Sequence, residues 1–171
     1  MSDNIRVGLI GYGYASKTFH APLIAGTPGM ALAAVSSSDA AKVHADWPSV
    51  PVVSEPKHLF NDPNIDLIVI PTPNDTHFPL AKAALEAGKH VVVDKPFTVT
   101  LSQARELDAL AKSLGRLLSV FHNRRWDSDF LTVKRLLSEG TLGEILFFES
   151  HFDRFRPQVR NRWREQAGPG S

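Results

Sequence analysis

From Ile5 onward the chain alternates between short apolar runs and longer stretches whose apolar residues recur every three or four positions. The first pattern predicts buried strands and the second predicts amphipathic helices. Residues 5–10 form the first predicted strand, followed by a helix over residues 14–25 with Phe19 and Leu23 on one face. Pro22 lies inside that helix and, lacking an N–H, is expected to kink or shorten it. Residues 30–35 make a second strand and 40–46 a short helix capped by Ser38 or Asp39. A brief strand at 50–53 and a helical turn at 55–60 precede the clearest buried strand, Asp66-Leu67-Ile68-Val69-Ile70. Its near-continuous aliphatic character is that of a parallel strand covered on both faces.

The alternation continues. A helix with Leu80, Ala83, Ala84 and Ala87 in phase is stopped by Gly88, with Pro79 expected in its first turn. Residues 89–93 are a fifth strand. The next helix starts at Ser102, carries Ala104, Leu107, Leu110, Ala111 and Leu114, and stops at Gly115; residues 117–121 are a sixth strand. Six strands alternating with helices over short connections predict an α/β fold, a doubly wound parallel sheet.

After the sixth strand the pattern changes. Residues 127–139 predict a helix with Phe130, Val133 and Leu137 facing inward. Residues 144–153 predict a strand with Ile145 and Phe147 on one face and Leu146, Phe148 and Phe152 on the other. Two apolar faces need covering, so this reads as the first strand of a truncated second α/β domain. The expected division is residues 1–122 and 123–171. The exposed phenylalanine-rich strand is expected to support homo-oligomerisation.

Composition adds mainly exclusions. The 171 residues, 43% hydrophobic and 22% charged with net charge +1, describe an ordinary soluble globular chain. That balance argues against nucleic acid as a partner. Arg154, Arg156, Arg160, Arg162 and Arg164 read as a solvated or lid-like segment. Without cysteine there is no disulfide, zinc–thiolate site or cysteine nucleophile. His44, His58, His90 and His151 form no spaced cluster, so no metal site is expected, and His20 reads as structural. The N-terminus resembles neither a signal peptide nor a membrane span, which makes the cytoplasm the expected location.

In an open α/β sheet, ligands bind beyond the carboxyl ends of the strands. The chemically unusual residues gather there. Gly11 and Gly13, with Tyr12, Tyr14 and Ala15, follow the first strand, and Ser36, Ser37 and Ser38 follow the second. Thr72, Pro73, Asn74 and His77 follow the fourth, Asp94, Lys95 and Pro96 the fifth, and Asn123 and Arg125 the sixth. A strand, two glycines one residue apart and a helix suit a dinucleotide: the turn lets backbone approach the pyrophosphate, and the helix start offers free N–H groups to it. Ser16 stands at the third small position, where glycine or alanine is usual. Asn74 reads equally as a helix cap, and His77 either as a group near the nicotinamide or as a solvated residue of a first turn. The second strand ends in three serines, with Asp39 a little late for a ribose-binding carboxylate and Lys42 beyond; hydroxyls and a nearby cation suit a 2′-phosphate, so NADP is expected over NAD.

Gly11-x-Gly13, Thr72-Pro73-Asn74-x-x-His77, Asp94-Lys95-Pro96 and Asn123-x-Arg125, in this order, resemble the glucose-fructose oxidoreductase / inositol 2-dehydrogenase (Gfo/Idh/MocA) family from Ile5 to the end. The family's Glu-Lys-Pro stands here as Asp-Lys-Pro. The resemblance implies a Rossmann domain, an NAD(P) cofactor, and hydride transfer to or from a sugar, inositol or related polyol. It also implies that Lys95 is catalytic, its ammonium bonding the substrate and assisting proton transfer. The family's second domain brings an aspartate and a histidine to join that lysine. The chain stops where that region would begin, so it is expected to bind cofactor and turn over little. A non-catalytic dinucleotide-binding or redox-sensing module is the alternative.

Overall fold

The computed structural model describes residues 4–158 and Gly168. Arg160, Arg162 and Arg164 of the tail lie outside the described residues. A six-stranded, all-parallel sheet forms the centre, in the order β3-β2-β1-β4-β5-β6. Its strands are β1 (Ile5–Ile10), β2 (Met30–Ser36), β3 (Val52–Val53), β4 (Leu67–Ile70), β5 (His90–Asp94) and β6 (Leu118–Phe121). This is the doubly wound Rossmann arrangement, whose order reverses between β1 and β4. Register is set by side-chain alternation. Val7 and Leu9 of β1 share one face with Val35 and Val69, while Ile10 shares the other with Ile68, Ile70, Val91 and Val93. Each face therefore carries its own core, and a one-residue slip would exchange them.

Helices cover both faces. A π-wound segment, Ser16–His20, runs into α1 (Ala21–Gly26), followed in turn by α2 (Ala40–His44), α3 (Pro56–Phe60), α4 (Asn74–Glu86) and α5 (Leu101–Ser113). Pro22 does not break the first helix. The Ala21 N–H reaches back to the Ser16 carbonyl, and this wider turn absorbs the crowding that a proline ring imposes on the turn before it. Pro79 lies in the interior of α4 and not in its first turn, since the helix opens at Asn74. α4 buries Ala81, Ala84 and Leu85; of the expected stripe, Ala84 is buried, Leu80 and Ala83 pack half-buried against the same core, and Ala87 is exposed. Gly88 and Gly115, at φ +78° and +63°, end α4 and α5 in the left-handed conformation that glycine adopts freely.

The chain divides into two compact units, with the boundary between Phe121 and His122. The second holds a 3-10 turn (Asn123–Trp126) and α6 (Ser128–Ser138). No residue of α6 is buried. Phe130, Val133 and Leu137 line, with Phe148, an open cavity of about 780 Å³ in place of a closed core. The strand expected over residues 144–153 is not formed. A strand exists only as one side of a hydrogen-bonded ladder, and among the described residues no other segment pairs with it. The second unit keeps local contacts: Arg124 pairs with Asp127 at 2.8 Å and lies over the Phe152 ring at 5.6 Å. No described helix is long and apolar enough to cross a membrane.

Candidate functional site

The site starts at the turn that ends β1. Gly11 adopts φ +79°, a conformation costly for any residue with a side chain, and its N–H donates to the Ser36 carbonyl at 2.7 Å. The turn is thereby tied to the end of β2. Ser16, 1% exposed, donates its hydroxyl to the Gly11 carbonyl at 2.9 Å, so the departure from a small apolar residue becomes an internal brace. A Cβ on Gly13 would meet no protein atom within 4 Å; the turn faces open space there. Tyr14 is largely exposed. Tyr12 turns the other way, its hydroxyl donating to Asp46 at 3.0 Å. Burial, then the Asp46 carboxylate, push the Tyr12 hydroxyl up. Asp46 is held below the ordinary carboxylate range by Lys17, 2.8 Å away, and then by Tyr12.

Beyond the ends of β1 to β4 lies a cavity of about 400 Å³. It brings together Gly11, Tyr12 and Gly13, the three serines Ser36, Ser37 and Ser38, then Lys42 of α2 and Thr72. Three further residues line it, Ile10, Asp39 and Ser54. Ser54 was not among the expected residues; its one sequence signal is its place after β3, and that two-residue strand gives it little context. Asp39 is occupied locally: its carboxylate accepts the Lys42 N–H at 3.0 Å as the cap of α2, and its own N–H donates to the Ser37 hydroxyl at 3.1 Å. One oxygen of the carboxylate thus caps its helix.

The remaining predicted residues do not line this cavity. Ala15 belongs to the helix start. Pro73 precedes α4, while Asn74 is its first helical residue and is buried. The turn is closed by Thr76, whose hydroxyl lies 2.6 Å from both the Thr72 hydroxyl and the Pro73 carbonyl. His77 is neither solvated nor open to a ligand. It is fully buried, with Nδ1 2.8 Å from the Pro96 carbonyl and Nε2 2.9 Å from the Thr72 carbonyl. It clasps the loop after β4 to the loop after β5.

That second loop carries Lys95, exposed, followed by Pro96 across a cis peptide. The Lys95 N–H donates to Asp94 Oδ1 at 2.7 Å. Burial would raise the Asp94 carboxyl, but the His20 imidazole, the Lys95 N–H and the charges of both residues hold it below the ordinary range. Asn123 and Arg125 lie on the 3-10 turn of the second unit, where Arg125 N–H donates to the His122 carbonyl at 3.1 Å. No group of His, Asp and Glu among the described residues could hold a metal ion.

Residues 5–122 match the Gfo/Idh/MocA family model described as "Oxidoreductase family, NAD-binding Rossmann fold". The chain belongs to the Gfo/Idh/MocA oxidoreductase family. Residues 130–171 of this family member match the GFO/IDH/MocA C-terminal domain. The oxidoreductase YdgJ of Escherichia coli (strain K12) is 89% identical over 171 residues, all of this chain and 49% of the relative. The scyllo-inositol 2-dehydrogenase (NADP(+)) IolW of Bacillus subtilis (strain 168) is 42% identical, over 97% of this chain and 46% of the relative. The solved YPO2259 oxidoreductase of Yersinia pestis superposes with a TM-score of 0.93 at 76% identity, covering 96% of this chain and 47% of that one. The chain therefore spans about half the length of the relatives it matches. The family and the fold place a nicotinamide dinucleotide as cofactor of its members.

Proposed function

We propose that this chain binds NADP(H) in preference to NAD(H), and that Lys95 serves hydride exchange between the nicotinamide and a hydroxyl or carbonyl of a sugar, inositol or related polyol. The observation that carries the cofactor reading is the serine-lined cavity. Ser36, Ser37, Ser38 and Lys42 gather at the end of β2, where the adenosine ribose of a dinucleotide rests in this fold. A carboxylate free to accept both ribose hydroxyls would favour NAD, and the Asp39 carboxylate is already engaged by the Lys42 N–H. The hydroxyls and the ammonium suit a phosphate. Gly11 and Gly13 leave room for the pyrophosphate, and the helix beyond Gly13 directs its first N–H groups to it.

The bound nicotinamide supplies the hydride acceptor or donor. The Lys95 amine orients the reacting oxygen: as the ammonium it gives a proton to that oxygen when a carbonyl is reduced, and as the neutral amine it takes the proton from a hydroxyl that is oxidised. Asn74, His77, Asp94 and Pro96 belong to this proposal as residues of the loops after β4 and β5, His77 by clasping and not by touching cofactor; Asn123 and Arg125 enter it only through the family motif that they match. The polyol class rests on the family and on the inositol dehydrogenase among the relatives.

Calorimetric titration tests the cofactor. NADP⁺ should bind the 171-residue chain tighter than NAD⁺, and Lys42→Ala should remove about tenfold or more of NADP⁺ affinity alone, since a hydrogen bond to a charged group contributes about 1.5–3 kcal/mol. Tighter NAD⁺ binding would overturn the preference. For the chemistry, Lys95→Ala in a protein of the relatives' full length should still bind NADP⁺ and lose most turnover; unchanged turnover removes Lys95 from the reaction.

A further inference from the structure

His20 closes the π-wound segment that begins just past the glycine turn. It is 3% exposed, and its ring lies 4.3 Å from that of Phe121. Its Nε2 is fully enclosed and has no hydrogen-bond partner. An enclosed polar nitrogen left unbonded costs about 1–3 kcal/mol, so a residue kept in that state calls for a physical reason. The structure supplies one. Asp94 Oδ2 lies 3.7 Å from Nε2, beyond hydrogen-bond distance but within ion-pair reach. The other oxygen of the same carboxylate already accepts the Lys95 N–H. Phe121, against which the imidazole packs, is the register partner of Asp94 across β5 and β6.

Three elements thus meet behind Lys95: the helix whose start faces the glycine turn, the end of β5 and the end of β6. We propose that His20 is a positioning residue for Lys95, its Nε2–H closing onto Asp94 Oδ2 when the dinucleotide is bound. Asp94 Oδ1 then passes that orientation to the Lys95 backbone. The inference rests on Lys95 being the group that serves the reaction. Its logic is mechanical. A dinucleotide on the first N–H groups of the helix bears on the segment that ends in His20, and a small approach converts the open pair into a hydrogen bond. Hydrogen bonds of active sites are often long before ligand arrives and tighten in the complex.

The test reads Lys95 directly. Lysines of the 171-residue chain are reductively ¹³C-methylated, and the Lys95 resonance is identified by its loss in Lys95→Arg. NADP⁺ should move this resonance in the wild type. His20→Phe, which keeps an aromatic ring against Phe121 but has no N–H, should lose most of that movement, while His20→Gln, which restores an N–H donor, should recover it. A His20→Phe protein whose Lys95 resonance responds as the wild type does overturns the proposal, as does a folded His20→Gln protein that behaves like His20→Phe. Should His20→Phe fail to fold, or NADP⁺ fail to bind, the imidazole ¹⁵N spectrum decides. The His20 Nε2 should be protonated, and its signal should shift in Asp94→Asn; a signal indifferent to Asp94 sinks the pair. Failure of the Lys95 reading appears separately, as unchanged turnover in Lys95→Ala, and leaves these spectra as they are.

Discussion

Asp94 shows how one short side chain joins structure to acid sensitivity. Its carboxyl is largely sheltered, and burial alone would raise its pKa, yet the His20 imidazole, the Lys95 N–H and the Lys95 ammonium reverse that. A carboxylate whose folded-state pKa lies below its unfolded value, about 3.9, contributes stability that is fully present above that value. It is lost as pH falls from about 4 through the lower folded-state pKa. Urea unfolding of wild type and Asp94→Asn, compared at about pH 6 and at about pH 3, should show their stability difference shrinking on the acid side. A constant difference would show that Asp94 is not preferentially stabilised as an anion in the fold. At this scale the sequence was read unevenly. Gly11, Ser36 and Lys42 were legible because turn chemistry and position after a strand are local properties. His77 was not: two carbonyl acceptors, one 19 residues along the chain, make it a clasp. Nothing in its neighbours in sequence announces them.

The elements that the sequence made plain are those whose reasons are internal to them. β4 is legible as an aliphatic run, and its Ile68 and Ile70 are fully buried. The start of α5 was expected within two residues, and the structure gives the cause. Thr100 accepts the Gln103 N–H at 3.2 Å, and Gln103 Oε1 returns to the Thr100 N–H at 3.3 Å. This reciprocal cap satisfies two donors that the first turn leaves without partners. Thr100→Ala should cost about 1 kcal/mol, typical of losing such a cap, and lower the melting temperature by a few degrees. A thermal melt with no change would mean that packing alone holds the start of α5. Elements whose reasons lie elsewhere were misread. Residues 144–153 carry a strand pattern, but pattern does not supply a partner strand. In α4 the expected Leu80, Ala83 and Ala84 do meet the core, but the neighbouring elements widen the buried face to Ala81 and Leu85 and leave Ala87 outside it.

Taken as a whole, the molecule distributes its stability unequally, and that bears on how cofactor should act. The first unit buries Leu9, Leu59, Ile68, Ile70, Leu85 and Leu107 almost completely. α6 of the second unit buries none of its residues. Local opening follows the number of buried apolar contacts, so amides of β1, β4 and β5 should exchange only through unfolding of the whole first unit. Those of α6 should exchange through cheap local fraying. A ligand that binds the folded form stabilises by RT ln(1 + [L]/Kd), about 2.7 kcal/mol at a hundredfold excess over Kd. The serine-lined cavity and the glycine turn belong entirely to the first unit. Saturating NADP⁺ should therefore slow exchange in β1, β4 and β5 by about a hundredfold and leave α6 unaltered, which hydrogen exchange followed by mass spectrometry reads peptide by peptide. Equal protection of α6 would mean that ligand binding stabilises the second unit together with the first, and would overturn this division.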